Sequence, residues 1–400
     1  MSEKLLDVKN LHTSFFTHLG EVQAIRDVSF GLDKGEIIGI VGESGSGKSV
    51  TSLSIMGLLA YPGRVKDGEI LFNGEDLLKK KKSEMRKIQG DHIAMIFQDP
   101  MTSLNPLFKI GDQITEAILT HHKIKKEDAK KRALEMLRLV GIPSPEKRFH
   151  SYPHEFSGGM RQRIVIAIAL AADPDILICD EPTTALDVTI QAQIMELINH
   201  LKEKRNLSII FITHDLDEAI KLGDRIAIMK DGEVVQVGTP EEILTDPANH
   251  YVSRFTENVD RGRIVTASSI MITQPVVARI RKDGPETVLR KMKEKNLYVL
   301  PVVDGNRQFL GEVRLKDVLA LRKAGNHDLS SIVMKEVPSV LENTTVEDML
   351  PLLPEIRQAL PVVNEANQLA GLVSTSSIII EMTGKDKEEI DQIVQNAIEL

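Results

Sequence analysis

The sequence predicts an α/β protein built on a parallel sheet, followed by a smaller α+β module. Three observations carry that expectation. An apolar run, Ile37-Ile38-Gly39-Ile40-Val41, passes through a glycine-rich loop into a helical pattern with Val50, Leu53 and Met56 on one side. A second apolar run, Ile176 to Cys179, ends in two carboxylates and is joined through a helical stretch to a third, Leu207 to Thr213. After about residue 258 this alternation stops, and Leu300-Pro301-Val302-Val303 recurs 60 residues later as Leu360-Pro361-Val362-Val363.

At 400 residues, 42% hydrophobic and 27% charged, the chain has room for two or three ordinary globular domains. Its longest apolar run, Ile164 to Ala172, is nine residues, against the ~20 needed to cross a bilayer. Met1-Ser2-Glu3-Lys4 leads into no apolar signal core, so any membrane role is expected through protein partners. The single cysteine, Cys179, excludes a disulfide framework within the chain and reads as a small buried hydrophobe. A reducing cytoplasm is the expected compartment.

Residues 1–41 read as short strands with turns at His18-Leu19-Gly20 and Asp33-Lys34-Gly35. Phe15, with Phe16 as fallback, has two readings: a ring that stacks on a nucleotide base, or core. The loop that follows is Gly42-Glu43-Ser44-Gly45-Ser46-Gly47-Lys48-Ser49. Its glycines let successive backbone N–H groups turn toward one anion, and the positive end of the next helix faces the same point. Lys48 then reaches the β- and γ-phosphates, and the Ser49 hydroxyl is placed for Mg²⁺. The expected ligand is a nucleoside triphosphate, with Mg²⁺ as cofactor.

Lys79-Lys80-Lys81-Lys82 reads as a solvated face. Ile93 to Phe97 is a buried-strand pattern ending at Gln98, a loop covers 99–106, and residues 111–140 are helical. Ser157 is a good helix N-cap, and Ser157-Gly158-Gly159-Met160-Arg161-Gln162 opens a helix apolar on nearly all sides. That N-terminus is a second anion-binding end, which two chains facing head-to-tail bring to the first loop more readily than one chain does. In Ile176 to Glu181, Asp180 suits Mg²⁺ through water, and Glu181 is placed to take a proton from an attacking water. Ala185-Leu186-Asp187 opens a helix to about Arg205, and the next strand ends at His214, whose imidazole suits the γ-phosphate. His121-His122, His150 and His154 lack the spacing of a metal pair and are assigned surface or capping roles.

Taken in order over residues 1–250, these motifs resemble the nucleotide-binding subunit of an ABC transporter. The resemblance implies a P-loop NTPase core with a helical subdomain at about 99–172. It makes Gln98 the Q-loop and a Mg²⁺ contact with Ser49 and Asp180. Ser157 to Gln162 become the signature, Asp187 the D-loop and His214 the switch histidine. It further implies ATP hydrolysis at two composite sites of a head-to-tail pair, here a homodimer. The partners it implies are transmembrane permease subunits and an extracytoplasmic solute-binding protein, with the chain peripheral on the cytoplasmic face of the membrane and no nucleic acid.

The repeat after residue 260 reads, in each copy, strand, helix, strand, turn, strand, helix. It resembles a tandem CBS pair, with boundaries expected at 268–325 and 326–384 after a linker at 259–267 and before an acidic helix at 385–400. The adenosine pattern of that family is split: Gly311 and Asp317 flank Arg314, and Gly371 and Ser374 precede Ser377. A shared site for a dinucleotide such as cyclic-di-AMP is the reading the resemblance leaves open. Residues 261–325 carry a net charge of +8 and residues 326–400 a net of -9. This polarity suggests an ionic-strength-sensitive brake, or docking on an anionic lipid surface, against two solvated faces with no sensing role.

Cargo is divided. Gly42 to Val50 and Phe97 to Pro106 resemble oligopeptide and dipeptide importers. Asp224 to Gly232 and the CBS tail resemble importers of quaternary amines such as glycine betaine, the side favoured because the tail is the rarer feature. From other classes, a non-transport ABC ATPase is expected to carry a coiled-coil insertion or a second nucleotide domain. A purely nucleotide-sensing module is expected to have lost Lys48, Asp180, Glu181 or His214.

Overall fold

The computed structural model describes residues 4–98, 103–184 and 186–383. The chain divides between Thr256 and Glu257 into two compact units. The Asp99-Pro100-Met101-Thr102 part of the expected loop and the expected acidic helix at 385–400 lie outside the described residues.

The first unit holds two sheets. Strands β1 (Leu6–Thr17), β2 (Gly20–Leu32), β4 (Gly63–Phe72) and β5 (Glu75–Asp76) form an antiparallel sheet in the order β2-β1-β4-β5. β1 and β2 are long, not the short strands expected. Asn10 and Asp27, which favour turns, take positive φ inside the strands and hydrogen-bond across the pair, Asn10 Nδ2 to Asp27 Oδ1 at 2.6 Å. Register shifts along β1 show the irregularity absorbed as bulges.

The second sheet runs β10-β9-β3-β8-β7-β6, from β3 (Ile37–Val41), β6 (Ile93–Ile96), β7 (Ile176–Asp180), β8 (Ser208–Thr213), β9 (Arg225–Lys230) and β10 (Glu233–Gly238). All its pairs are parallel except β9 with β10. Every residue of β3, β7 and β8 is buried, as expected of strands covered on both faces. Their side chains alternate between two cores. Leu177, Cys179, Ile209 and Phe211 join the helical layer, while Ile176, Ile178, Ile210 and Ile212 pack toward the antiparallel sheet. In the helical layer, Ile110, Ile114 and Ile118 place one buried stripe along the helix Ile110–His121. The helices Lys126–Leu139 and Gly158–Ala169 complete it. The thiol of Cys179 is fully buried and its pKa pushed far up by that burial.

The second unit contains two three-stranded sheets of one design. β11 (Ala278–Arg279), β12 (Val299–Val303) and β13 (Phe309–Arg314) match β14 (Val340–Leu341), β15 (Ala359–Val363) and β16 (Leu369–Ser374). The copies are stitched by an antiparallel bridge between Gln308 and Gln368, by Phe309 N donating to Asn367 O at 3.0 Å, and by Leu369 N donating to Arg307 O at 2.9 Å. They also exchange leading segments. Val265 and Ala267 are buried in the core of the second copy, and Leu329 in that of the first. Ile272 bridges to Leu372 and Met334 to Glu312 in matching fashion. Thus residues 259–267 are not only a connector: Arg261–Arg263 form a short 3-10 helix and Val265 is core.

Candidate functional site

The loop Gly42–Gly47 is folded by close packing from below. A side chain at Gly42 would lie 2.2 Å from Met229 O, and one at Gly47, where φ is 100°, would lie 2.9 Å from Ala24 O. Gly232 N donates to Ser46 O at 3.1 Å, so the β9–β10 turn supports the loop. Ser46 Oγ is buried with no hydrogen-bond partner among the described residues, which fits a loop shaped to enclose a polar ligand.

Lys48 begins the helix Lys48–Met56 and is 5% exposed. Its ammonium donates to Gly42 O at 2.7 Å and Glu43 O at 2.9 Å. Burial pulls its pKa down, and the carboxylates of Glu181 and Asp180 oppose that shift. Ser49 Oγ donates to Asp180 Oδ1 at 3.0 Å, tying the loop to the end of β7. Burial raises the Asp180 pKa and neighbouring Glu181 adds to the rise, while the Ser49 hydroxyl and Lys48 hold it back. A hydroxyl, a buried carboxylate and an amide oxygen form a hard-oxygen donor set of the kind Mg²⁺ takes alongside phosphates, so Ser49, Asp180 and Gln98 fit that ion.

The strand ends then align. Ile96 is level with Cys179, and Asp180 with Ile212, so Gln98, Glu181 and His214 all emerge at one edge of the sheet. Gln98 Nε2 donates to Glu181 Oε2 at 2.6 Å, and Thr184 Oγ1 donates to the same oxygen at 3.1 Å. Glu181 itself has φ 48°, a strained conformation for a non-glycine residue, and its N–H donates to Ile212 O at 2.9 Å. His214 is exposed just beyond β8. Sequence reading missed Glu218. Its buried carboxylate accepts from Thr213 Oγ1 at 2.6 Å and Thr183 Oγ1 at 3.1 Å, linking the segment after Glu181 to the segment before His214. A carboxylate in the first turn of a helix just past a strand end was its only signal.

Other expected residues stand apart. Ser157 caps the helix Gly158–Ala169 through Met160 N at 3.4 Å, and Ser157 and Gly158 are exposed. Gly159 is buried so closely that a side chain there would meet Ile190 Cγ2 at 2.5 Å. The rest of the expected signature does not face outward with Ser157 and Gly158. Met160 packs against the helical core, Arg161 Nε donates to Pro153 O at 2.9 Å, and the Gln162 amide is buried with no hydrogen-bond partner among the described residues. Helix geometry explains this, since Gly159, Gln162 and Ile166 share one inward stripe. Asp187 caps the helix Val188–Arg205, accepting from Ile190 N at 2.9 Å. Phe15 lies half-buried on the antiparallel sheet with its ring over Gly63, while the Arg64 guanidinium stacks 3.9 Å from the centre of Phe16. The histidines set aside as metal ligands pack locally: His154 stacks on Tyr152, and His121 lies over Gly90.

The ABC transporter family model matches residues 25–184, and the CBS domain model matches 267–323 and 329–384. The oligopeptide transport ATP-binding protein OppD of Bacillus subtilis (strain 168) is 62% identical over 249 residues, which are 62% of this chain and 70% of that protein. The chain belongs to the ABC transporter ATP-binding proteins. A second relative, the dipeptide transport ATP-binding protein DppD of Lactococcus lactis subsp. cremoris (strain MG1363), is 58% identical over 250 residues, 62% of this chain and 72% of that one. Among solved structures, a dimeric bacterial ABC transporter cassette aligns with a TM-score of 0.53 at 30% identity, covering 59% of this chain and 98% of the other. The same cassette solved after hydrolysis, with ADP and Pi, aligns equally well. As an ABC ATPase cassette with a tandem CBS pair, the chain binds and hydrolyses ATP.

Proposed function

We propose that this chain is the ATP-hydrolysing subunit of an importer for peptides, working as a head-to-tail pair of copies. The observation that supports it most is the convergence of Gln98, Asp180, Glu181 and Lys48 at one sheet edge, held by the hydrogen bonds from Ser49 and Gln98. Glu181 acts as the base. Its Oε2 is held by Gln98 and Thr184, which leaves Oε1 to take the proton of the attacking water. Lys48 and the loop N–H groups bind the β- and γ-phosphates, and His214 orients the γ-phosphate from the same edge. Mg²⁺, when bound by Ser49, Asp180 and Gln98 Oε1, neutralises charge on the β- and γ-phosphates. Ser157, Gly158 and Gly159 present the N-terminus of their helix to the nucleotide of the partner copy, with Asp187 beside that contact, and Phe15 stacks on the adenine.

Leu107 and Phe108, 80% and 56% exposed, follow the Gln98 loop, with Phe97 and Tyr152 also open. Such a patch suits a permease helix, which places this subunit peripherally at the membrane; no described helix is long and apolar enough to cross it. Peptide cargo is favoured by identities of 58–62% to peptide transport proteins over about 250 residues. One feature favours glycine betaine or another quaternary amine: the charge-split CBS pair, whose proposed role is to gate the ATPase by ionic strength, by an anionic lipid surface or by cyclic-di-AMP. Uptake of a labelled dipeptide and of labelled glycine betaine, through the transporter assembled with this chain, decides between them. Dipeptide uptake alone supports the proposal, and glycine betaine uptake alone overturns it.

A further inference from the structure

Two segments of the hydrolytic edge meet through one buried side chain. Glu218, 7% exposed, lies in the helix Leu216–Leu222 that follows His214. Its Oε2 accepts from Thr213 Oγ1 at 2.6 Å and from Thr183 Oγ1 at 3.1 Å, and both threonines are buried as well. The Thr213 hydroxyl also accepts from Asp215 N–H at 3.0 Å, closing a turn around His214. Thr183 is held on its own side, where its carbonyl accepts from Leu186 N–H at 3.2 Å and from Gln191 Nε2 at 3.4 Å. Glu218 therefore fixes the turn that carries His214 against the segment that leaves Glu181. Glu181 has anchors of its own: its N–H donates to Ile212 O at 2.9 Å, and Gln98 and Thr184 donate to its carboxylate. The His214 imidazole is exposed and makes no hydrogen bond among the described residues. Its position is set by its backbone, which Thr213 ties to Glu218.

We propose that Glu218 is a positioning residue for ATP hydrolysis, setting the place of His214 relative to Glu181. Two hydroxyls aimed at one buried oxygen lock each other, because rotating either threonine away strands a buried polar group. The turn is thereby held where imidazole and carboxylate face the same γ-phosphate. A misplacement of about 1 Å between reacting groups costs up to about 100-fold in rate, so a clamp of two hydrogen bonds has a large kinetic effect. Glu218 acts on the reaction through Thr213 and Thr183, not by touching the nucleotide. The role deepens the reading of this edge as the hydrolytic site and rests on it.

The test is steady-state ATPase kinetics of the full-length chain with ATP and Mg²⁺. Glu218→Ala should lower kcat about 10- to 30-fold with KM for ATP within about threefold, because the Gly42–Ser49 loop that binds ATP is untouched. Glu218→Gln keeps an oxygen that accepts from both hydroxyls, and should bring kcat back to within about threefold of wild type. In a His214→Ala background the positioned group is gone, and Glu218→Ala should cost at most about twofold more. Wild-type kcat in Glu218→Ala overturns the proposal. So does a Glu218→Gln chain as slow as Glu218→Ala, or an equal fold-loss with and without His214. If Glu218→Ala fails to fold, Thr183→Val removes one of the two hydroxyls and keeps the side-chain shape. It should lower kcat about threefold at unchanged KM, and an unchanged kcat there overturns the proposal. Wild-type turnover in Glu181→Gln, or in His214→Ala alone, refutes the underlying reading of the edge, whatever Glu218 does.

Discussion

Gln98 Nε2 donates to Glu181 Oε2 at 2.6 Å, joining the ends of two parallel strands that are adjacent in the sheet but more than eighty residues apart in sequence. The contact couples the loop that follows Gln98, where the exposed apolar patch lies, to the carboxylate proposed as the base. Gln98→Ala removes this donor and leaves Thr184 alone on that oxygen. ATP turnover should fall about 10-fold with KM changed less than about threefold, read by steady-state kinetics. A rate equal to wild type would detach Gln98 from catalysis.

Asp180 gives a pH-dependent prediction. Burial raises its pKa in the folded chain above the ordinary carboxylate value of 3.8, so the folded state holds its proton more tightly than the unfolded state. Its effect on stability therefore worsens as pH climbs from 3.8 through the raised folded value and is constant above. Asp180→Asn should remove that slope and stabilise the nucleotide-free chain at pH 7 by about 1 kcal/mol, while abolishing Mg²⁺-dependent turnover. Denaturant melts at pH 4 and pH 7 read the first effect and ATPase assays the second.

Gly311 tests the second unit. Its φ is 129°, and a side chain there would lie 1.9 Å from Met334 O, in the segment that crosses from the second copy into the core of the first. Gly311→Ala should destabilise that unit by about 2–4 kcal/mol and lower its unfolding transition. Calorimetry of the full chain checks this, with the transition of the ATPase unit as internal reference.

The charge split of the tail predicts salt-dependent ATPase activity in the assembled transporter. Lys291 does not belong to the exposed positive field, because its ammonium donates to Asp283 Oδ2 at 2.6 Å and Val277 O at 2.9 Å. The combined change Arg279→Gln, Arg281→Gln and Lys293→Gln therefore isolates the effect. Activity at low salt should rise at least about twofold and its salt dependence flatten, as screening of exposed charges requires. An unchanged salt profile would leave the two faces as solvated surface.

Much of the ATPase unit was legible because its signals are local. The Gly42–Ser49 loop and the Asp180-Glu181 strand end each declare themselves within ten residues, and full burial on both faces makes β3, β7 and β8 read as apolar runs. The rest depended on three-dimensional packing. Residues 1–41 read as short strands, and only the cross-strand hydrogen bond of Asn10 and Asp27, both at positive φ, shows two long strands that bulge there. Gln162 reads as part of an exposed motif until helix periodicity turns it inward. The 60-residue period locates both CBS copies, but nothing in it says that Val265 serves the second core and Leu329 the first.

The central claim is that Glu181 is the base of an ATPase site completed by a second copy of the chain. Glu181→Gln tests it most directly, with turnover and oligomeric state measured together in the presence of ATP and Mg²⁺. Turnover should fall at least about 100-fold while ATP binding persists, and the chain should accumulate as an ATP-bound dimer. Turnover equal to wild type would contradict the assignment of the base, and a chain that binds ATP but stays monomeric would contradict the composite site.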